Sequence, residues 1–330
     1  MVWWHRNRYK RCTQNGYAMK VIKDIEDKSS LYEFRDAFVT IGNFDGIHLG
    51  HQRLIKMLIK EAHGDNRKAM VITFDPHPQM VLHSEKRPFY LITSLEEKIK
   101  LLGELGIDAV ILMMFSLEFS QMTAEDFVCQ ILSDRLHIKK IFIGYDYTFG
   151  KDKVGNAAFL VDFGSRLGFD IDIINAVMAD NTIVSSTRIR NAILEGDVKT
   201  VIAPLGRPYS LSGTVIEGNR RGGSLGFHTA NIKPDKMLIP AHGVYAVIVH
   251  LEGRRYQGVL SIGFNPTFAD EKLSVEVHLL DFKEDIYGKR LEVLFIDRIR
   301  DEVKFAAPEE LVAQVKQDIE KGRTILKPYF

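Results

Sequence analysis

Two histidines separated by a leucine and a glycine, His48-Leu49-Gly50-His51, carry the first spacing in the chain that could do chemistry. They follow an apolar, β-prone run of Phe38, Val39 and Ile41 and a break at Gly42-Asn43-Phe44-Asp45-Gly46, where Asp-Gly signals a turn. After His51, the apolar residues Leu54, Ile55, Leu58, Ile59 and Ala62 recur at helical spacing. The pattern predicts a strand, a turn and a helix beginning near Gly50, with both histidines at its N-terminal mouth. Unpaired backbone N–H groups and the positive end of the helix dipole meet there, which favours an anion. Two imidazoles beside the small Gly50 can grip polyphosphate closely. Either histidine alone would read as an ordinary polar cap; the pair in this setting is hard to explain by packing.

A second constellation begins after Glu217. Gly218, Gly222 and Gly226, with Gly223 and the adjacent Arg220 and Arg221, make a cationic loop able to approach phosphates. Thr229 and Asn231 follow, two oxygen ligands that point the same way along an extended chain and suit Mg²⁺. Farther on, Ser274-Val-Glu-Val-His-Leu279 alternates, with Val275, Val277 and Leu279 on one face and Glu276 and His278 on the other. Glu276 either faces water or, inside an enclosed site, orients and deprotonates an attacking hydroxyl.

The elements that must position these groups come in two textures. Up to about residue 200 strands and helices alternate. Strands are expected at Phe38–Ile41, Ala69–Phe74, Ala109–Met114, Lys140–Ile143 and Ile171–Ile174, and helices after Gly50, Ser94 and Thr123. That order predicts a Rossmann-like, doubly wound parallel sheet, whose ligands sit beyond the carboxyl ends of its strands. Three further segments lie near such ends. Asp75-Pro76-His77-Pro78 is held by two prolines, Tyr145 and Tyr147 could flank a planar ring, and Ser186, Thr187 and Arg188 open a short helix. Each taken alone also fits a rigid turn, minor core or a plain helix cap. Ala203-Pro-Leu-Gly-Arg-Pro208 then reads as a linker. Beyond it, strands follow one another at Leu211–Ile216, Val244–Val249, Tyr256–Ile262, Ser274–Leu279 and Leu291–Phe295, as in an antiparallel β-barrel. A terminal amphipathic helix is expected over Pro308–Gly322.

Bulk properties agree with an ordinary globular chain. The 330 residues, 45% apolar and 26% charged, predict roughly two domains with full cores. A net charge of +1 argues against nucleic acid as the main partner. Cys12 and Cys129 are too few for a disulfide framework or a four-ligand zinc site, and Cys129 reads as a small buried apolar residue. Neither a membrane-spanning run nor the apolar core of a signal peptide is visible, so a cytoplasmic location is expected. Residues 1–18, which include the basic run His5 to Arg11, read as a disordered extension, with Met19 a candidate true start.

His-x-Gly-His resembles the signature of the nucleotidyltransferase superfamily. With Gly42, Asn43, Asp45 and Gly46 around it, the stretch looks most like the prokaryotic bifunctional riboflavin kinase/FMN adenylyltransferase (FAD synthetase) family. Leu225-Gly-Phe-x-Thr-Ala-Asn231, Gly243-Val-Tyr-Ala246, Ile262-Gly-x-x-Pro-Thr-Phe268, Val275-Glu-Val-His-Leu-Leu-Asp-Phe282 and Asp285-x-Tyr-Gly288 resemble that family's kinase module. The similarity runs from about Met19 to the C-terminus and implies an FMN adenylyltransferase domain over 19–202 and a riboflavin kinase domain over 203–330. It implies riboflavin, FMN and ATP as substrates and Mg²⁺ as cofactor, with Glu276, His48 and His51 catalytic. It places Gly42, Asn43, Phe44, Asp45, Gly46, Gly50, Ser186, Thr187, Arg188, Gly218, Gly222 and Gly226 on ATP and its phosphates. Thr229 and Asn231 would meet metal and ATP, and Asp75, Pro76, His77, Pro78, Tyr145 and Tyr147 the flavin and nucleotide pocket. His228 stands where the family usually has proline, which puts the stiffness of its loop in doubt. Residues 1–18 have no counterpart. Two other readings stay open. One is an HxGH transferase acting on a pantetheine phosphate or alcohol phosphate, against which the barrel motifs weigh. The other is a flavin-binding protein without turnover, against which Thr229, Asn231, Glu276 and both histidines weigh together.

Overall fold

The computed structural model describes residues 19–23, 25–83, 88–179, 182–217, 227, 229–266, 271–303, 305 and 307–330. Contacts divide the chain into two compact units, one reaching Phe89 and resuming over Leu95–Val184, the other made of Tyr90–Ser94 and Ser185–Phe330.

The first unit is built on six parallel strands: β1 (Lys20–Ile22), β2 (Phe38–Ile41), β3 (Ala69–Asp75), β4 (Ala109–Met114), β5 (Lys140–Gly144) and β6 (Asp170–Ile174). Their order is β1-β4-β3-β2-β5-β6. The winding runs one way from β2 to β4 and the other way from β5 to β6, so it reverses between the neighbours β2 and β5. Both faces are covered, and the two-residue period of a strand divides its apolar residues between two cores. Phe38, Val71, Val110 and Phe142 pack toward α1 (Leu49–Gly64) and α2 (Leu95–Leu105). Val39, Ile41, Ile72, Ile111 and Ile141 pack on the other face with Phe127, Val128, Ile131 and Leu132. The helix expected after Thr123 forms, but with wider π-helical turns over Phe127–Arg135, and Cys129 within it is half-buried rather than fully enclosed. Met178–Ala179 (β7) and Thr182–Ile183 (β8) form a small antiparallel ribbon.

In the second unit, β9 (Tyr209–Ile216), β10 (Ala230–Pro234), β11 (Gly243–Leu251), β12 (Arg254–Pro266), β13 (Glu271–Leu279) and β14 (Arg290–Arg300) close into an antiparallel barrel, in the order β10-β13-β12-β11-β14-β9. The terminal helix, Pro308–Leu326, covers one outer face, where Ala246, Ile248 and Ile296 bury against Leu326. Arg300 pins this helix through a forked pair of hydrogen bonds to the buried Asp318. The proline-rich stretch read as a linker forms one helical turn, Ile202–Leu205, and buries Leu205. β10 is absent from the expected strands: its five residues include one apolar β-branched side chain, Ile232, beside Asn231, Lys233 and Pro234, too weak a pattern to stand out.

Candidate functional site

At the end of β2 the chain turns sharply. Phe44, Gly46 and Ile47 all have positive φ, at 48°, 83° and 39°. Glycine takes this region freely, whereas phenylalanine and branched isoleucine do so only when their surroundings hold them. Phe44 and Ile47 are 3% and 1% exposed, plugged into the core under α1. Hydrophobic burial thus sets the loop that delivers the histidines. The Asn43 carbonyl accepts hydrogen bonds from the Lys98 ammonium at 2.8 Å and the Thr73 hydroxyl at 3.2 Å.

His48 caps α1. Its Nδ1 accepts the His51 backbone N–H at 3.4 Å, so the proton of a neutral His48 must sit on Nε2. The two imidazoles stack, with centroids 3.7 Å apart and planes 16° from parallel, and the Phe44 ring meets His51 edge-on at 5.2 Å. A Cβ added to Gly50 would lie 3.0 Å from the His48 ring, so glycine is what lets the stack close over the helix start. Buried His51 Nδ1 has no hydrogen-bond partner among the described residues. A bare acceptor is less costly there than an unanswered N–H, which also puts the His51 proton on Nε2. Burial, then the adjacent His48 and then Lys98 hold the His51 imidazole well below the usual histidine value of 6.5. Below pH 6.5 the unfolded chain therefore takes up a proton that the folded site refuses, and stability falls with pH until the folded value is reached. Thermal melts should show wild type losing more Tm than His51→Gln as pH is lowered from 7 through this window.

Two of the other segments lie at strand ends of this unit, and the third belongs to the second unit. Asp75 and Pro76 are exposed at the end of β3; His77 is buried, caps the Pro78–Leu82 turn through Nδ1 and stacks on Phe89 at 4.5 Å. Tyr145 is exposed after β5, next to β2 in the sheet, while Tyr147 stacks on Phe149 at 5.6 Å and burial pushes its phenol pKa up. Ser186, Thr187 and Arg188 open the helix Ser186–Leu194 of the second unit. The cap itself is Ser185, whose hydroxyl accepts from the Arg188 N–H at 3.4 Å, and Thr187 and Arg188 are exposed.

The barrel gathers the second set. Asn231 of β10 is paired in register with Glu276 of β13, which puts the two side chains side by side. Thr229 donates its hydroxyl to Glu276 Oε2 at 3.2 Å. Ser274 Oγ lies 2.9 Å from Glu276 Oε1 and 3.1 Å from Asn231 Oδ1. Val275, Val277 and Leu279 are buried and Glu276 and His278 half-buried, as alternation requires. Thr229 also lines a cavity of about 270 Å³ walled by Val215, Val277, Leu279, Phe282 and Ile286, with Lys283, Glu284 and Asp285 on its border. The glycines Gly218, Gly222 and Gly226, and His228, lie outside the described residues.

The chain matches the FAD synthetase family model over residues 31–188 and the riboflavin kinase model over residues 205–326. It is 38% identical to the bifunctional riboflavin kinase/FMN adenylyltransferase of Listeria monocytogenes, over 86% of this chain and 91% of that one. The protein of the same description from Escherichia coli is 36% identical, over 91% and 96%. The chain belongs to the bifunctional riboflavin kinase/FMN adenylyltransferase family. It is an enzyme with the family's two modules in the family's order, a nucleotidyltransferase followed by a kinase. A crystal structure described as a macrolide-efflux protein from Streptococcus pneumoniae, 36% identical, superposes with a TM-score of 0.83 over 92% of this chain and 98% of that one. No helix among the described residues is long and apolar enough to cross a membrane.

Three residues at the two modules' sites escaped the sequence reading. Lys98 shares the inner stripe of α2 with Leu102, and a lysine on an apolar stripe was the available signal. Ser274 sits two residues from Glu276 on the same strand face, so the period that singled out Glu276 also pointed to it. Thr73, buried inside β3, carried no signal of its own.

Proposed function

We propose that the barrel phosphorylates riboflavin to FMN with ATP, and that the histidine site adenylylates FMN to FAD with release of pyrophosphate. The supporting observation is the convergence of Thr229, Asn231, Ser274 and Glu276, of which Thr229 also lines a cavity, in a chain that also stacks His48 on His51. The domain extents assigned are 19–202 for adenylyl transfer and 203–330 for the kinase.

In the kinase, Glu276 accepts the proton of riboflavin's 5′-hydroxyl as that oxygen bonds to the γ-phosphorus of ATP and the bond to ADP breaks. The cavity's aliphatic and aromatic walls, bordered by charged residues, suit a planar ring with polar edges such as the flavin's. The donor set fits Mg²⁺: hydroxyl, amide carbonyl and one carboxylate are all hard oxygens. Among the described residues no group of three or more His, Cys, Asp or Glu that could hold a metal ion is present. Thr229 and Asn231 would hold the ion, which when bound neutralises phosphate charge.

In the other module, an FMN phosphate oxygen bonds to the α-phosphorus of ATP as the bond to pyrophosphate breaks. His48 and His51, each with its proton on Nε2, donate to the phosphate oxygens, where negative charge builds. Gly42, Asn43, Phe44, Asp45, Gly46 and Gly50 shape the mouth that takes the polyphosphate. Ser186, Thr187 and Arg188 are assigned to ATP phosphates through their motif, and Asp75, Pro76, His77, Pro78, Tyr145 and Tyr147 to the flavin and nucleotide pocket. Riboflavin, FMN and ATP, substrates of the cytoplasm, make that the compartment assigned.

Incubation with riboflavin, ATP and Mg²⁺, with flavins separated by chromatography over time, tests the reading. FMN appearing first and FAD following supports it; bound flavin with no conversion rejects it in favour of passive binding. Gly50→Ala should slow FAD formation, because the new methyl, 3.0 Å from the His48 ring, forces that ring to shift against His51. Equal rates in wild type and variant would show that the stack is not required.

A further inference from the structure

We propose that Lys98 is a positioning residue for adenylyl transfer: its buried ammonium clamps the Asn43 carbonyl and so fixes the turn that presents His48 and His51. This rests on the reading that the histidine pair is the adenylyl-transfer site.

Lys98 lies on the inner face of α2 and is only 4% exposed. An ammonium withdrawn from water is costly unless its protons find acceptors. Here one strong acceptor answers it, the Asn43 carbonyl at 2.8 Å, with the Thr73 hydroxyl more distant at 3.5 Å. Thr73 itself donates to the same carbonyl. Two donors from two elements, α2 and β3, thus converge on one peptide oxygen between the end of β2 and the positive-φ residue Phe44. An apolar side chain would fill the same space without the desolvation cost. The lysine sits where the chain leaves the sheet for the histidines, and not elsewhere along the helix.

The electrostatics agree with the geometry. Burial lowers the Lys98 pKa, while the carboxylates of Asp45, in the turn, and Asp75, at the end of β3, act to keep it charged. His51 is faced by His48 from its own helix, by Lys98 from α2 and by the edge of Phe44. Burial and His48 are the main reasons His51 stays neutral, and the Lys98 cation further opposes a positive charge on it. Lys98 therefore acts through others, chiefly by placing the turn, and adds to the burial and the His48 contact that hold His51 neutral.

The test compares full-length wild type, Lys98→Met, Lys98→Gln and His51→Ala. FMN adenylylation is measured with FMN, ATP and Mg²⁺, and the His51 ring-proton signal is titrated by NMR. Lys98→Met should lower kcat by about tenfold or more with little change in the KM for FMN, since it removes both the clamp and the charge. Lys98→Gln can still donate to Asn43 and should retain more of the rate. In both variants the His51 titration should move to higher pH, which loss of packing alone would not cause. An unchanged kcat in Lys98→Met, or an unmoved His51 titration in Lys98→Gln, overturns the proposal. Should Lys98→Met not fold, the kcat of Lys98→Gln decides, and a wild-type value there overturns the proposal. Full FAD formation by His51→Ala would instead defeat the assignment of the histidine site. A normal Lys98→Met beside an inactive His51→Ala defeats the role of Lys98 only.

Discussion

His51→Ala is expected to reduce FAD formation from FMN by about 10²–10³-fold while leaving riboflavin phosphorylation intact. The imidazole is stacked on His48, braced by Phe44 and held neutral, so its Nε2–H is a fixed donor for the charge that moves onto pyrophosphate in the proposed reaction. Alanine removes that donor and also half of the stack that steadies His48, so the loss should exceed that of one exposed hydrogen bond. The barrel closes with its own strands and does not use this helix in its sheet. Chromatography of flavins from riboflavin and ATP should therefore show FMN accumulating where wild type proceeds to FAD. Loss of both products from a folded variant would show that the two reactions do not have separate sites.

Glu276→Gln gives the opposite pattern: FMN formation lost by about 10²–10⁴-fold, the range for a general base, with supplied FMN still converted to FAD. Glutamine keeps the shape and can still meet Thr229 and Ser274, which bond the two carboxylate oxygens at 3.2 and 2.9 Å. What it cannot do is accept a proton. The substitution thus separates proton acceptance from the integrity of the cluster, which Glu276→Ala would not. Equal kcat for phosphorylation in Glu276→Gln and wild type would reduce Glu276 to a scaffold for Thr229 and Asn231.

Much of this architecture was legible from residue periods. Phe38–Ile41, Ala69–Phe74, Ala109–Met114 and Lys140–Ile143 are short, apolar and β-prone because they are buried on both sides, and all four are strands of the parallel sheet. The alternation at Ser274–Leu279 likewise put Glu276 on the side away from Val275 and Val277, where it is found. What stayed hidden is set by distant partners. β1 has three residues and becomes a strand by pairing with β4. β10 becomes one by pairing with β9 and β13, which is also what brings Asn231 to Glu276. Ser185 rather than Ser186 caps the short helix, a one-residue choice between adjacent hydroxyls that composition does not decide. Lys98 lies on the apolar stripe of α2, but its partner, the Asn43 carbonyl, is 55 residues away and comes within reach only in the fold.

The closed barrel also sets an order on the birth of the protein. Its ring is sealed where Thr214 pairs with Arg290 and Tyr209 with Phe295, so the first barrel strand to leave a ribosome must wait for nearly the last. The parallel sheet has no such delay, since all six of its strands precede the barrel in the chain. Tyr90–Ser94 is the exception: made early, it is held by Arg190 on the Tyr90 carbonyl and Lys236 on the Ile92 carbonyl, both translated much later. Synthesis therefore completes the strands of the second reaction in the sequence before those of the first, and a nascent chain can own a formed histidine mouth while its kinase does not yet exist.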